Sequence, residues 1–332
     1  MIKIAMNGTI NNRTATLPPQ PASGLSRSII FYGLAPIITS CIFYIIIIVL
    51  AIFGNALVVG SFIRHRHLRT YTNYFVASMA VADITVGAVS IPMWLTILLL
   101  APRDRVFSQV YFFLDAFSGT TSILHLMVIS LERFFAITYP VRHRNTSANV
   151  YYLFLVFVWF LPATMCGISL ELKKTQRHLN IMILFVAFFV IPLLVILFAY
   201  GGIWKVVRNR VMPQEGQSGQ RSLKRDMRVI VTIALVILFF VIAWLPFFIV
   251  NVVTIYCPSC KTFNPHLILF MKFMHYSNSA VNPVVYAVKI PEFRRAFRQL
   301  VGLCLCRANS LRPRDNELFS GTDARVGQKG SH

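Results

Sequence analysis

The chain has 332 residues, of which 56% are hydrophobic and only 13% charged, with 28 Phe and a mean hydropathy of +0.66. A soluble domain carries nearer ~25% charged residues, so the composition excludes an ordinary soluble enzyme or binding domain and points to a chain that lies mostly in lipid. The formal charge of +21 would suit nucleic acid, but the charges crowd into short breaks between apolar runs, and no nucleic-acid partner is expected.

The arm over 1–34 carries two glycosylation sequons, Asn7 in "NGT" and Asn12 in "NRT", which have a use only in the secretory lumen. No apolar stretch precedes residue 35, so a cleavable signal peptide is not expected and the first span should insert as its own signal. Seven apolar segments then follow, at 35–63, 72–100, 107–131, 150–170, 180–203, 229–256 and 264–288. Each reaches or approaches the ~20 residues a helix needs to cross hydrocarbon. Lipid offers no partner to a free backbone group, so these segments are expected to be helices. The expected fold is an all-α membrane bundle of seven transmembrane helices over 35–288. Most of the 32 Lys and Arg fall in "RHRHLRT", "VRHRNTSAN", "VRNRVMPQEGQSGQRSLKRDMR" and after Tyr286, which places those breaks inside and the N-terminus outside. Asn145, in "NTS", then falls on the inside and should be unmodified. Residues 289–303 read as a short amphipathic cytoplasmic helix and 304–332 as a disordered cytoplasmic tail.

Cys41 and Cys166 lie in spans and read as core. Cys257 and Cys260, in "CPSC", can close a small bridge in an outside loop, with a zinc half-site as the alternative. Cys304 and Cys306, in "LCLC" just after the amphipathic stretch, are either palmitoylation sites or free thiols. His65, His67, His125 and His275 have no ligand partners at metal-binding spacing, and no nucleophile cluster is visible, so an enzyme is not expected. Two related halves, as in many transporters, are not visible either.

Ionisable groups inside spans are costly and mark functional positions by default. Asp83 sits in mid-span, Asp115 near the outer end of the third segment, and Lys272, His275 and Tyr276 in the outer half of the seventh. The seventh then carries "NSAVNPVVY", which must face a bundle interior or a hydrated cavity. Polar contacts between helices are the alternative use for any one of these residues. Read as a helix, Asp115 and Arg133 stand about 27 Å apart, close to the ~30 Å of the hydrocarbon layer. One charged site therefore lies near each face.

Taken in order, "GNALVV" with Asn55, "AVADITVG" with Asp83, "SLERFFAITYP", Trp159, Pro192 with Tyr200, "FFVIAWLPFF" and "NPVVY" resemble the helix motifs of rhodopsin-class (class A) G-protein-coupled receptors. Within that class, "DAFSGTTSILHL" and "WLPFFIVN" look like biogenic amine receptors. By contrast, "CPSC" and "NSAVNPVVYAVKIPEFRRAF" resemble adenosine receptors at least as much. The resemblance implies a small-molecule agonist, a heterotrimeric G protein, and arrestin and receptor kinase as further partners beside membrane lipid.

For the ligand it implies Asp115 pairing with an ammonium, Tyr276 hydrogen-bonding that Asp, and Trp244, Phe247, Phe248 and Asn251 around the bound molecule. For switching it implies Arg133 held by Glu132 and by Asp226 at the inner end of the sixth helix, with Tyr200 and Tyr286 beside them. Pro192, Ile123 and Phe240 match the packing triad that couples pocket to core. Asp83, Ser122, Asn278, Ser279 and Asn282 match a sodium site, and no other cofactor is expected.

Four departures stand out. No Cys occurs in 101–115 or 171–180, and the break "ELKKTQRHLN" is short, so the family's usual staple onto that loop is absent. Leu184, Phe185 and Phe188 stand where catecholamine receptors carry serines, which argues against a catechol ligand. Lys272, one turn outside Tyr276, can reach Asp115 or snorkel to water. Glu132 and Phe134 replace the usual Asp and Tyr beside Arg133. The expected function is a plasma-membrane receptor for a small, non-catechol amine. The alternatives are a nucleoside or other non-amine ligand, or constitutive activity through a Lys272–Asp115 pair.

Overall fold

The computed structural model describes residues 24–102, 104–211, 217–257 and 264–310. After a short helix, Gly24–Tyr32, come the first three spans, Leu34–Arg64, Tyr71–Leu100 and Arg105–Thr138. The fourth is Ala148–Thr175, and the fifth runs from Arg177–Phe185 through a wide turn at Val186–Val190 into Ile191–Val211. The sixth is Gln217–Tyr256, the seventh Pro265–Lys289, and a last helix occupies Pro291–Ser310.

Six of these helices are long and apolar enough to cross a membrane. The seventh falls short in hydropathy because it carries Lys272, His275, Asn278, Ser279 and Asn282. Of these, His275 and the three that follow are buried against its neighbours. Local sequence sets the starts of the helices. Thr70, Asp104, Ser147 and Asn264 each accept a hydrogen bond from a backbone N–H two or three residues on, at 2.8–3.4 Å. These are N-caps that satisfy otherwise orphaned donors.

Polarity is inverted relative to a soluble bundle. Ile38, Ile45, Phe53, Phe160, Leu194 and Phe198 face outward, while Asn55, Asp83, Asp115, Ser122, His125 and Asn282 are buried. The third helix is the hub: 67% of its most apolar stretch is buried, against 17% for the fourth. Where helices close tightly, glycine allows it. A Cβ on Gly54 would lie 2.6 Å from Pro283 Cγ, and one on Gly119 would lie 2.3 Å from the Trp244 ring. Ser78 joins three helices. The Trp159 indole can only donate, so Ser78 Oγ accepts from it at 2.9 Å and passes its own proton to His125 Nε2 at 2.9 Å. His125 Nδ1 then donates to the Thr121 carbonyl at 2.8 Å, which makes His125 a neutral packing residue.

Several boundaries differ from the sequence reading. The fifth helix runs to Val211 and the sixth starts at Gln217, against the expected 203 and 229. The last helix runs to Ser310, past the expected 303 and into the stretch expected as disordered tail. The third helix continues to Thr138, seven residues past the end of its apolar segment at 131, and carries Glu132 and Arg133 on regular helix, as the Asp115–Arg133 spacing assumed. The expected loop "ELKKTQRHLN" is helical apart from Gln176. Glu, Leu, Lys and Arg are good helix formers, so polarity there marks the exit from lipid and not the end of a helix.

Candidate ligand site and switch

At one end of the bundle, Asp115 on the third helix meets the seventh. Lys272 Nζ lies 2.5 Å from Asp115 Oδ2, and the two side chains are only 12% and 10% exposed. The Tyr276 hydroxyl donates to Asp115 Oδ1 at 3.0 Å. Its proton is thereby spent, so the Tyr111 hydroxyl, 3.0 Å away, must donate to it. Three rings surround the ammonium: Lys272 Nζ stands 5.4, 5.3 and 5.4 Å from the ring centroids of Trp94, Tyr111 and Tyr276. A carboxylate plus an aromatic box is the chemistry that recognises an ammonium. Here the ammonium in the box is the chain's own.

The pair opens on a cavity of about 200 Å³. Its floor is Trp244, whose ring packs 4.0 Å from His275, 5.7 Å from Phe240, 5.9 Å from Phe247 and 6.0 Å from Phe248 between centroids. Leu184 and Phe188 form the fifth-helix wall, with Asn180 and Asn251 on the same rim. Asn251 Nδ2 donates to the Phe247 carbonyl of its own helix at 2.7 Å. His275 is 5% exposed, and its Nδ1 has no hydrogen-bond partner among the described residues. Below this floor, Ile123 and Phe240 lie in one buried cluster with Trp244, and Pro192 is buried just past the wide turn at Val186–Val190.

Asp83 is fully buried in mid-bundle. It accepts from Ser122 Oγ at 3.3 Å and from Asn282 Nδ2 at 2.8 Å. Asn55 Nδ2 donates to the carbonyls of Ala51 at 2.8 Å and Ser279 at 2.9 Å. Among the described residues, the side-chain oxygens of Asn55, Asn278 and Asn282 are buried without a partner. Asn282, bonded to Asp83 through Nδ2, has an oxygen with no donor among the described residues, and a buried carboxylate with such an oxygen on its partner fits a small cation.

At the far end, Glu132 is 4% exposed and fully engaged. Arg133 donates to it through Nε at 2.7 Å and Nη2 at 2.8 Å, Thr72 Oγ1 donates at 2.7 Å, and His143 Nε2 lies 2.9 Å away. Tyr200 stands within electrostatic reach of Arg133, and Tyr286 is buried against Phe293. The Asp226 side chain lies outside the described residues, as do those of Cys304 and Cys306. Asn7, Asn12 and Cys260 also lie outside them. Cys257 is disulfide-bonded.

Sequence reasoning missed Trp94, Tyr111, His143 and Thr72. Tyr111 had a signal, standing one turn before Asp115. Trp94, Thr72 and His143 come from other elements, and only folding brings them in.

A bundle with a ligand-sized cavity at one end and a caged Glu-Arg pair at the other is the plan of a seven-helix receptor. The profile of the 7 transmembrane receptor (rhodopsin family) matches residues 54–170 and 161–286, and the chain belongs to that family. It is a multi-pass membrane receptor of class A and not an enzyme. The chain is 28% identical to "Adenosine receptor A2a" of Canis lupus familiaris over 316 residues, covering 84% of this chain and 75% of the relative. It is 29% identical to "Octopamine receptor beta-1R" of Drosophila melanogaster over 355 residues, covering 90% and 69%. The "D(5)-like dopamine receptor" of Takifugu rubripes is 28% identical over 354 residues, covering 91% and 74%.

Proposed function

We propose that the chain is a plasma-membrane receptor, N-terminus outside, that takes an amine-bearing small ligand at Asp115 and activates a heterotrimeric G protein at the Arg133 end. The observation that carries this reading is Asp115 in its aromatic box, opening on a cavity floored by Trp244. Lys272 holds that place, so an incoming ammonium must displace it. Leu184 and Phe188 on the fifth-helix wall leave catechol hydroxyls unpaired, which favours a non-catechol amine.

A ligand can shift the receptor only by binding its two conformations unequally. Trp244, packed on Phe240 below and His275 above, is the element through which occupancy of the cavity reaches the core. At the other end, the Glu132–Arg133 pair, tied to Thr72 and His143, restrains Arg133 in the resting state, with Asp226 as a second restraint. Arrestin, a receptor kinase and lipid contacts belong to the same proposal, as do modification of Asn7, Asn12, Cys304 and Cys306 and a Cys257–Cys260 bridge. A sodium ion held by Asp83, Ser122, Asn278, Ser279 and Asn282 would supply the missing positive charge and favour the resting form.

A second reading rests on Asn180 and Asn251 at the cavity rim. A neutral nucleoside could bind there and leave the Lys272–Asp115 pair intact. Second-messenger output (cAMP and calcium) in cells expressing the chain, across amines and adenosine, with and without Asp115→Asn, decides. An amine response lost in the variant supports the Asp115 site. A nucleoside response that survives the variant supports the second reading.

A further inference from the structure

The ammonium site is already filled, and that constrains what can fill it next. Lys272 Nζ lies on Asp115 Oδ2 and inside the box of Trp94, Tyr111 and Tyr276. The pair is neutral as a unit. A plain amine that takes Asp115 leaves the Lys272 ammonium unpaired in an apolar cavity, and the site gains a net positive charge. A plain acid that takes Lys272 leaves Asp115 unpaired, with a net negative charge. Both leave a buried charge without its partner, which is costly.

One ligand class avoids both penalties. Resting on the Asp115 site proposed above, we infer that the agonist is a zwitterion, an amino acid with an aromatic or bulky apolar side chain, that exchanges ion pairs with Lys272 and Asp115. Its ammonium takes Asp115 in the box, and its carboxylate takes the released Lys272. The net charge of the site stays at zero and no charged group is left alone. No covalent bond forms or breaks.

Two further observations fit the exchange. His275 lines the cavity beside the pair as a buried ring, so it adds a flat face against which an apolar side chain can pack. The rest of the lining, Trp244, Phe247, Phe248 and Phe188, offers edge and face contacts to an apolar side chain and no charge of its own. Lys272 sits on a flexible four-carbon stem, so it can swing off Asp115 and still reach a carboxylate bound next to it.

The test uses matched pairs that differ by one carboxylate: phenylalanine and phenethylamine, tyrosine and tyramine, tryptophan and tryptamine. Second-messenger responses are recorded in cells expressing the full chain as wild type, Lys272→Met, Lys272→Gln or Asp115→Asn, each normalised to surface expression. In the wild type at least one amino acid should be more potent than its amine, by about a hundredfold if one unpaired buried charge sets the difference. Both Lys272 variants should reverse that order, weakening the amino acid and sensitising the receptor to the amine. Asp115→Asn should abolish both responses.

Amines that act through Asp115 while no amino acid acts in the wild type would overturn the zwitterion and leave the Asp115 site standing. An amino acid more potent than its amine, but unchanged by either Lys272 variant, would also overturn it. Responses indifferent to Asp115→Asn would sink the Asp115 site itself. Silence to every compound in the wild type counts against the zwitterion.

Discussion

Taking Lys272 and Asp115 apart one at a time, and then together, measures what the buried pair does for the resting receptor. The ion pair is 2.5 Å long with both side chains about nine-tenths buried, so solvent screening gives little relief. Removing one partner of such a pair strands the other and typically costs about 3–5 kcal/mol. Lys272→Met leaves Asp115 with the Tyr276 hydroxyl as its hydrogen-bond donor, which places the loss near the lower end, about 3 kcal/mol. Asp115→Asn leaves Lys272 its three rings, and cation–π contact of about 0.5–2 kcal/mol each way softens that loss too. The double variant strands nothing and should lie within about 1 kcal/mol of the wild type.

The assay is thermal unfolding of the purified, ligand-free chain in detergent, at one scan rate because such unfolding is rarely reversible. At roughly 2 °C per kcal/mol for a chain of this size, each single variant should fall by about 6 °C and the double should stay within about 2 °C of the wild type. A double variant that falls by the sum of the two singles would refute the pair as a coupled unit and leave Lys272 as a cation that only happens to lie nearby.

Three other perturbations have defined outcomes. Gly119→Ala puts a methyl 2.3 Å from the Trp244 ring, so Trp244 must move. Basal second-messenger output should then shift by several-fold and agonist potency should fall, whereas unchanged signalling would show that Trp244 does not couple pocket to core. Glu132→Gln weakens the charge-assisted bonds from Arg133 and His143. Basal output should rise, and a fall at equal surface expression would contradict the restraining role. For the mid-bundle site, raising sodium against choline should lower agonist affinity in the wild type and do nothing in Asp83→Asn. Radioligand competition in the two salts checks it, and an equal salt effect in both proteins would exclude Asp83 as the sodium ligand.

How much of this was legible in the sequence depended on range. The six most apolar spans announce themselves because each is a local run. The seventh was legible through its motif more than its hydropathy, since Lys272, His275 and the Asn-rich stretch pull it below the other six. Helix ends were read worst, above all at Val211 and Gln217 and also at Thr138 and around Gln176, because polarity reports where lipid stops and helix propensity does not stop with it. Asp115, Lys272 and Tyr276 could be singled out as buried polar groups, yet the sequence left two fates open for Lys272. Its box needs Trp94 from the second helix and Tyr111 from the third, a convergence that no spacing encodes. Thr72 and His143 on Glu132 were hidden for the same reason.

The most direct test of the central claim is guanine-nucleotide exchange on purified heterotrimeric G proteins, driven by the purified chain with the amine and amino-acid pairs above. The account predicts agonist-dependent exchange by the wild type that vanishes in Asp115→Asn while the variant stays folded and at the same concentration. Exchange that proceeds equally without Asp115 would contradict it.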